Sequence, residues 1–329
     1  MDPALHQSIF QINDQKTFRE TALKVFHFQA THVPVYKEYL EALGVNVSEV
    51  NEVEEIPFLP VEFFKTHTII CEGKKAEIIF ESSGTTSSTP ARHHIPDVSL
   101  YEKSFAKGFY HFYGDPQGYL ILALLPSYLE RSGSSLVHMM DRLIGNSDHP
   151  QSGFYLDNLQ ELTSVLERSK EERQPTLLLG VSFALLDLAE QYPMDLGNHC
   201  IVMETGGMKG RRKELIRGEL HAQLASSFGL ETIHSEYGMT ELLSQAYSMG
   251  NGRFQAPPWM KIAIRDPNDP LTLLPAEESG GINIIDLANL NTCSFIATGD
   301  LGKKHTDGSF EVIGRFDHTD IRGCNLMVL

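Results

Sequence analysis

From residue 119 to 234, short apolar runs alternate with amphipathic stretches of helix length, and this alternation is the strongest constraint on the fold. Residues 119–125, 176–179, 200–204 and 232–234 read as buried strands. Residues 158–170, 182–192 (with Ser182 as the N-cap) and 211–228 read as helices between them. Apolar strands separated by helix-length crossovers predict an α/β architecture with a parallel, helix-covered sheet. Upstream, the apolar spacing of 16–43 suits helices interrupted at Pro34 and stopped by Gly44, and 69–71 and 76–80 read as short strands. After Asn251 the pattern changes: 261–264, 281–286, 294–298 and 310–313 are short strands without long helices between them. The expected division is therefore α/β lobes over 1–250, then a small β lobe and C-terminal tail over 251–329.

A formal net charge of −16 on 329 residues argues against broad contact with nucleic acid or anionic membrane, although a local phosphate pocket is compatible with it. Cys71, Cys200, Cys293 and Cys324 are widely spaced, which excludes a Cys-x-x-Cys metal site and favours reduced thiols. The N-terminus shows neither a basic region nor an apolar run, and no stretch is long and apolar enough to span a membrane. A cytoplasmic protein is expected.

Local motifs carry the chemistry. In Phe80-Glu81-Ser82-Ser83-Gly84-Thr85-Thr86-Ser87-Ser88-Thr89-Pro90 a strand runs into hydroxyl residues around one glycine. Such a loop can cradle an anion, and it is equally what a solvated connection looks like. It lacks the Gly-Lys-[Ser/Thr] ending of a Walker loop. Ser235-Glu236-Tyr237-Gly238-Met239-Thr240-Glu241 follows the last parallel strand, at the edge where open α/β sheets place ligands. It offers an aromatic to a base, a hydroxyl to phosphate and a carboxylate to Mg²⁺; a helix start capped by Thr240 is the alternative. Thr298-Gly299-Asp300-Leu301-Gly302 and Gly314-Arg315-Phe316-Asp317 add an Asp suited to ribose hydroxyls and an Arg suited to sugar or phosphate oxygens. A Gly-Asp hairpin turn and an exposed Arg explain them equally well.

Taken in order, the hydroxyl–Gly loop, Gly206-Gly207, Tyr-Gly-x-Thr-Glu, Thr-Gly-Asp and Gly-Arg-x-Asp resemble the adenylate-forming enzymes, which include acyl-CoA ligases, firefly-type luciferases and peptide-synthetase adenylation domains. The resemblance covers roughly 76–323. Glu204-Thr205-Gly206-Gly207-Met208-Lys209-Gly210 and the late Arg322-Gly323-Cys324 look most similar to the acyl-protein synthetases of bacterial bioluminescence, the LuxE type. The resemblance implies the large-domain fold of that superfamily with ATP and Mg²⁺. Ser82, Ser83, Gly84, Thr85 and Thr86 would wrap the β- and γ-phosphates. Gly206 and Gly207 would lie against adenine, with Tyr237 and Gly238 on its other face. Thr240 would meet the α-phosphate, Glu241 the Mg²⁺, Asp300 the ribose, and Arg315 the ribose or phosphate.

There are departures from the pattern. Ser87 and Ala91 stand where the common loop has Gly and Lys, with Arg92 one place later, and the mobile C-terminal lid of the larger ligases is absent. Arg92 is the candidate replacement for the missing lysine. Cys324 matches the acyl-accepting cysteine of acyl-protein synthetases; an inert tail thiol is the plainer reading. His93-His94 read as loop histidines. Tyr101, Phe105, Phe109, Tyr110, Phe112 and Tyr113 read as a helix face that is mostly core, with one or two residues lining an acyl pocket. Pro126-Ser127-Tyr128 is a weak candidate for the acid-binding wall. Three functions follow: acyl-adenylate formation from a carboxylic (fatty) acid with transfer to Cys324; acylation of CoA or a carrier with a lid from another chain; and a non-catalytic nucleotide- or acyl-binding subunit. Under the first two, an acyl carrier, reductase or transferase is the expected protein partner.

Overall fold

The computed structural model describes residues 3–82, 89–126, 133–156, 158–206 and 215–316. In chain order the helices are α1 (Pro3–Ile9), α2 (Gln15–His32), α3 (Pro34–Ala42), α4 (Phe63–Thr66), α5 (Val98–Tyr113), α6 (Ser135–Ser147), α7 (Leu159–Glu171), α8 (Ser182–Gln191) and α9 (Arg217–Phe228). The strands are β1 (Leu59–Pro60), β2 (Ile78–Glu81), β3 (Arg92–Ile95), β4 (Leu120–Leu124), β5 (Gly153–Tyr155), β6 (Thr176–Val181), β7 (Cys200–Thr205), β8 (His234–Tyr237), β9 (Ala246–Ser248), β10 (Phe254–Gln255), β11 (Met260–Arg265), β12 (Leu273–Leu274), β13 (Ser279–Asp286), β14 (Phe295–Lys304) and β15 (Phe310–Arg315).

The expected parallel sheet is present as β5-β4-β6-β7-β8, all neighbours parallel. Its central strands are buried on both faces: every residue of β4 (LILAL) and of β6 (TLLLGV) is buried, as a helix-covered parallel sheet requires. The later strands form an antiparallel half. They continue the same sheet in the order β8-β9-β10-β15-β14-β13-β11-β12, hydrogen-bonded edge to edge with the parallel half.

Several local expectations differ from the structure. Residues 69–71 belong to no strand; Cys71 N–H instead bonds the Asn291 carbonyl at 2.9 Å. The segment containing His93-His94 is a strand, not a loop, because it pairs with β2 in a separate hairpin. Val181, not Ser182, is the N-cap of α8, because Val181 is the last residue with extended backbone (φ −71°, ψ 146°); the Ser182 hydroxyl, already inside the helix, donates to Glu204 at 3.2 Å. The fourth parallel strand starts two residues later than predicted and carries the tyrosine at its end, while no helix begins at Thr240. Of the long helix expected over 211–228, the described part starts at Arg217.

Thr298-Gly299-Asp300-Leu301-Gly302 lies inside β14 and is not a hairpin turn; the pairing with β15 shifts register between Leu301 and Gly302. A Cβ at Gly302 would stand 2.4 Å from the Glu311 carbonyl oxygen, so the close strand approach there excludes any side chain. Among the described residues no helix is long and apolar enough to cross a membrane.

Candidate active site

Tyr237 ends β8, and the chain turns back through Gly238–Glu241 to β9. Tyr237 Oη donates to Asp300 Oδ2 at 2.7 Å, and Arg315 Nε donates to Asp300 Oδ1 at 2.8 Å. Asp300 and Arg315 are direct cross-strand partners, which places carboxylate and guanidinium on one face of the antiparallel half. The tyrosine ring, expected as an open stacking face, is buried edge-on against Phe254 and Phe310, at centroid distances of 5.9 and 5.8 Å. Burial and then the adjacent Asp300 push its phenol well up, so it serves as a permanent donor that orients Asp300. The Asp300 carboxylate is itself buried, whereas 64% of the Arg315 side chain is exposed. The guanidinium is thus anchored at Nε and open to solvent at its far end.

Glu241 is buried close to the same cluster. Desolvation raises its carboxyl to about 7, the Arg315 charge opposes this, and Asp300 reinforces it. The turn carrying it is pinned through its backbone. His93 Nδ1–H donates to the Thr240 carbonyl at 2.8 Å, and Asn289 Nδ2 donates to the Glu241 carbonyl at 2.8 Å. Leu243 and Ser244 N–H groups donate to Asp286 Oδ2 at 2.7 and 2.9 Å. Gln29, on α2, bonds the Asn289 and Leu290 carbonyls at 2.9 and 3.0 Å, so the N-terminal helix holds the segment that holds Glu241.

Ser82 and Arg92 stand at the base of the β2–β3 hairpin. Ser82 Oγ accepts from Ala91 N–H at 2.9 Å, and Arg92 Nε pairs with Glu81 at 2.9 Å on the surface. His93, one residue on, connects this hairpin to Thr240. Gly206 is exposed directly after β7. Ser83, Gly84, Thr85, Thr86, Gly207 and Cys324 lie outside the described residues, as do Ser127 and Tyr128.

Of the residues singled out from sequence, the structure brings together Tyr237, Gly238, Thr240, Glu241, Asp300 and Arg315. Gly206 is linked to them by the parallel pairing of Thr205 with Glu236. The groups not anticipated are His93, Gln29, Asp286 and Asn289, which position the turn, and Glu236, which is buried under it. Their partners lie far away in the chain, so no local pattern marks them. One usable signal was the odd polar Gln29 among Ala22, Val25, Phe26 and Ala30 on an apolar helix face.

This architecture is the adenylate-forming ligase fold. The chain is similar to ATP-bound MatB from Rhodopseudomonas palustris, with a TM-score of 0.53 and 18% identity over 72% of this chain and 47% of MatB; it thus spans about half of that protein's length. It is also similar to 2-hydroxyisobutyryl-CoA ligase in the postadenylation state with 2-HIB-AMP, with a TM-score of 0.69 and 13% identity over 93% of this chain and 69% of the ligase. The same ligase in complex with 2-HIB-AMP and CoA in the thioesterification state gives 0.68 and 15% identity over 96% and 68%. No protein-family model and no curated relative matches the sequence.

Proposed function

We propose that this chain activates a carboxylic acid with ATP: a carboxylate oxygen attacks the α-phosphorus, pyrophosphate leaves, and an acyl-adenylate is formed. The observation that carries the reading is the convergence, beside the carboxyl end of β8, of the Tyr237–Asp300–Arg315 relay and the buried Glu241. It is supported by a fold shared with ligases crystallised with ATP or an acyl-AMP. In this reading Asp300 accepts the ribose hydroxyls, and the open end of Arg315 meets sugar or phosphate oxygens. Ser82, Ser83, Gly84, Thr85 and Thr86 hold the outer phosphates, and Arg92 at the hairpin base adds positive charge there. Gly206 and Gly207 leave room for the base, and Thr240 meets the α-phosphate.

Glu241 fits a magnesium ligand. A lone carboxyl raised by burial gives up its proton when a cation arrives, and Mg²⁺ is commonly held by one or two carboxylates together with phosphate oxygens. In this reading Mg²⁺ arrives with the triphosphate, whose oxygens complete its ligand set.

The acceptor in this reading is Cys324, whose thiolate would attack the acyl carbonyl and release AMP. Burial pushes the thiols of Cys71 up to about 11 and of Cys200 and Cys293 up to about 12, which leaves those three poor nucleophiles. CoA as the acceptor is the second reading, favoured by the similar ligase bound to 2-HIB-AMP and CoA. ATP–pyrophosphate exchange over acetate, aryl acids and medium- to long-chain fatty acids tests the first step. Exchange that needs both Mg²⁺ and one acid class is expected; absence of exchange with every acid overturns the reading.

A further inference from the structure

The opposite face of β8 carries polar groups that adenylate formation, as described above, does not use. Successive strand residues point to opposite faces. Tyr237 therefore turns toward Asp300, and Glu236 turns toward α5, as His234 does when its ring meets the Tyr113 hydroxyl at 3.1 Å. Glu236 is buried, and the Thr205 hydroxyl donates to its Oε2 at 2.5 Å. Tyr101 of α5 and Tyr247 of β9 lie near it. Burial, and after it the charge of Glu236, raises the phenols of Tyr101 and Tyr247, and the Tyr101 hydroxyl is committed to the Ser135 carbonyl at 2.9 Å.

The second carboxyl oxygen, Oε1, lies against Gly238. A Cβ on that glycine would stand 2.4 Å from it and 3.4 Å from Gln245 Cγ. Gln245 is 6% exposed, and its Oε1 is sealed from solvent with no hydrogen-bond partner among the described residues. A buried acceptor left without a donor costs about 1–3 kcal/mol. Here such an acceptor flanks Gly238 together with a buried carboxylate. Gly238, directly after β8, places no side chain between them.

We propose that Glu236 and Gln245 form the acid-side subsite, and that the substrate is a carboxylic acid bearing a hydrogen-bond donor, a hydroxyl or an ammonium, directed at these two acceptors. The inference rests on the acyl-activating reading and narrows it. A plain hydrocarbon chain laid on this face would leave Gln245 Oε1 buried and unanswered, beside a Glu236 carboxyl whose hydrogen-bond donor is Thr205. A site built to bond a donor strongly rejects the analogue that lacks one, by roughly 10⁴-fold where the bond is fully enclosed.

The test is ATP–pyrophosphate exchange with matched acids: butyrate against 2-hydroxy-, 3-hydroxy- and 2-aminobutyrate, and octanoate against 3-hydroxyoctanoate. A donor-bearing acid is expected to exceed its unsubstituted match in kcat/KM by at least ~10-fold. Glu236→Gln keeps an acceptor and removes the charge, so it separates the two donors: an ammonium acid loses more than tenfold, a hydroxy acid far less. Glu236→Leu and Gln245→Leu, each checked by thermal melting, are expected to shift the ratio toward the unsubstituted acid. Equal or better exchange with unsubstituted acids in the wild type overturns the inference while leaving adenylate formation intact. So does an equal loss for every acid in folded Glu236→Leu and Gln245→Leu. No exchange with any acid removes both.

Discussion

His93 Nδ1 donates to the carbonyl oxygen of Thr240 across 2.8 Å, joining residues 147 apart in sequence. The imidazole is fully buried, and burial lowers it to about 4, so it is neutral at physiological pH. A neutral ring that donates at Nδ1 must accept at Nε2, where the Thr292 hydroxyl stands at 3.0 Å. The hairpin bearing Ser82 and Arg92, the turn bearing Glu241, and the segment before β14 are thereby held by one ring.

Losing that pin is expected to slow exchange without abolishing the fold. His93→Leu leaves the partly buried Thr240 carbonyl without this donor, at a cost of about 1–3 kcal/mol, and kcat should fall ~10–100-fold as the turn loosens. His93→Asn places an amide N–H near the Nδ1 position and should recover most of the rate. Exchange kinetics and melting temperatures of both variants check this. A folded Leu variant with wild-type kcat shows that the turn does not need the histidine.

Asp300→Asn should act mainly on ATP. The substitution leaves Tyr237 Oη and Arg315 Nε facing a neutral amide where a buried carboxylate had accepted from both. Only the carboxylate side of this pair is buried, and a hydrogen bond to a charged group is worth about 1.5–3 kcal/mol. KM for ATP should rise at least ~10-fold on that scale, with a smaller rise for Tyr237→Phe. Initial-rate kinetics at varied ATP and fixed acid decide it.

These two relationships show what the sequence could and could not tell. The alternation from 119 to 234 predicted the parallel half because its neighbouring pairs, apart from β4 with β6, are joined by one helical crossover, so burial shows in local composition. The Tyr-Gly-Met-Thr-Glu and Thr-Gly-Asp segments stood out for the same reason: several reactive side chains lie within a few residues. Asp300 read as a turn residue, since glycines on both sides look like loop chemistry until the close approach to Glu311 is seen. His93 read as a loop residue because β3 has no pairing signal of its own; it exists through β2 and through contacts to residues 240 and 292. Glu236 passed as a neighbour of the tyrosine, because only the strand's face assignment shows that it is buried on the opposite side.

Glu236 also gives a pH signature. Its carboxyl rises from 4.5 to about 7 in the folded chain, chiefly through desolvation, with the Thr205 hydrogen bond opposing and Glu204 adding to the rise. Between those two values the folded state holds the proton more tightly than the unfolded state. Stability from this group is therefore full below 4.5 and declines as pH rises through 7, by about 3 kcal/mol. Glu236→Gln removes the titration. Its stability relative to wild type should climb from pH 5 to pH 7 and level off above. His93, lowered to about 4, acts in the opposite sense as pH falls below 6.5, but equally in both proteins. Urea denaturation at pH 5, 6, 7 and 8 measures the gap, and a gap that stays flat means the carboxyl titrates as an exposed one.

Thiol chemistry separates the acceptors. Cys71, Cys200 and Cys293 are buried, and their raised thiols keep them protonated at neutral pH. Iodoacetamide added to the native protein at pH 7 should leave all three unmodified by peptide mass spectrometry, whereas unfolding in urea should expose each to alkylation. With those thiols silent, hydroxylamine-sensitive retention of a radiolabelled acyl group after incubation with acid, ATP and Mg²⁺ points to Cys324. Cys324→Ser should lose the label while keeping ATP–pyrophosphate exchange, because in the proposed reading the adenylation step draws on Asp300, Arg315 and Glu241 and not on the thiol. Full retention of label in Cys324→Ser removes the thiol from the reaction. Release of the label only when CoA is supplied then makes the small-molecule thiol the acceptor.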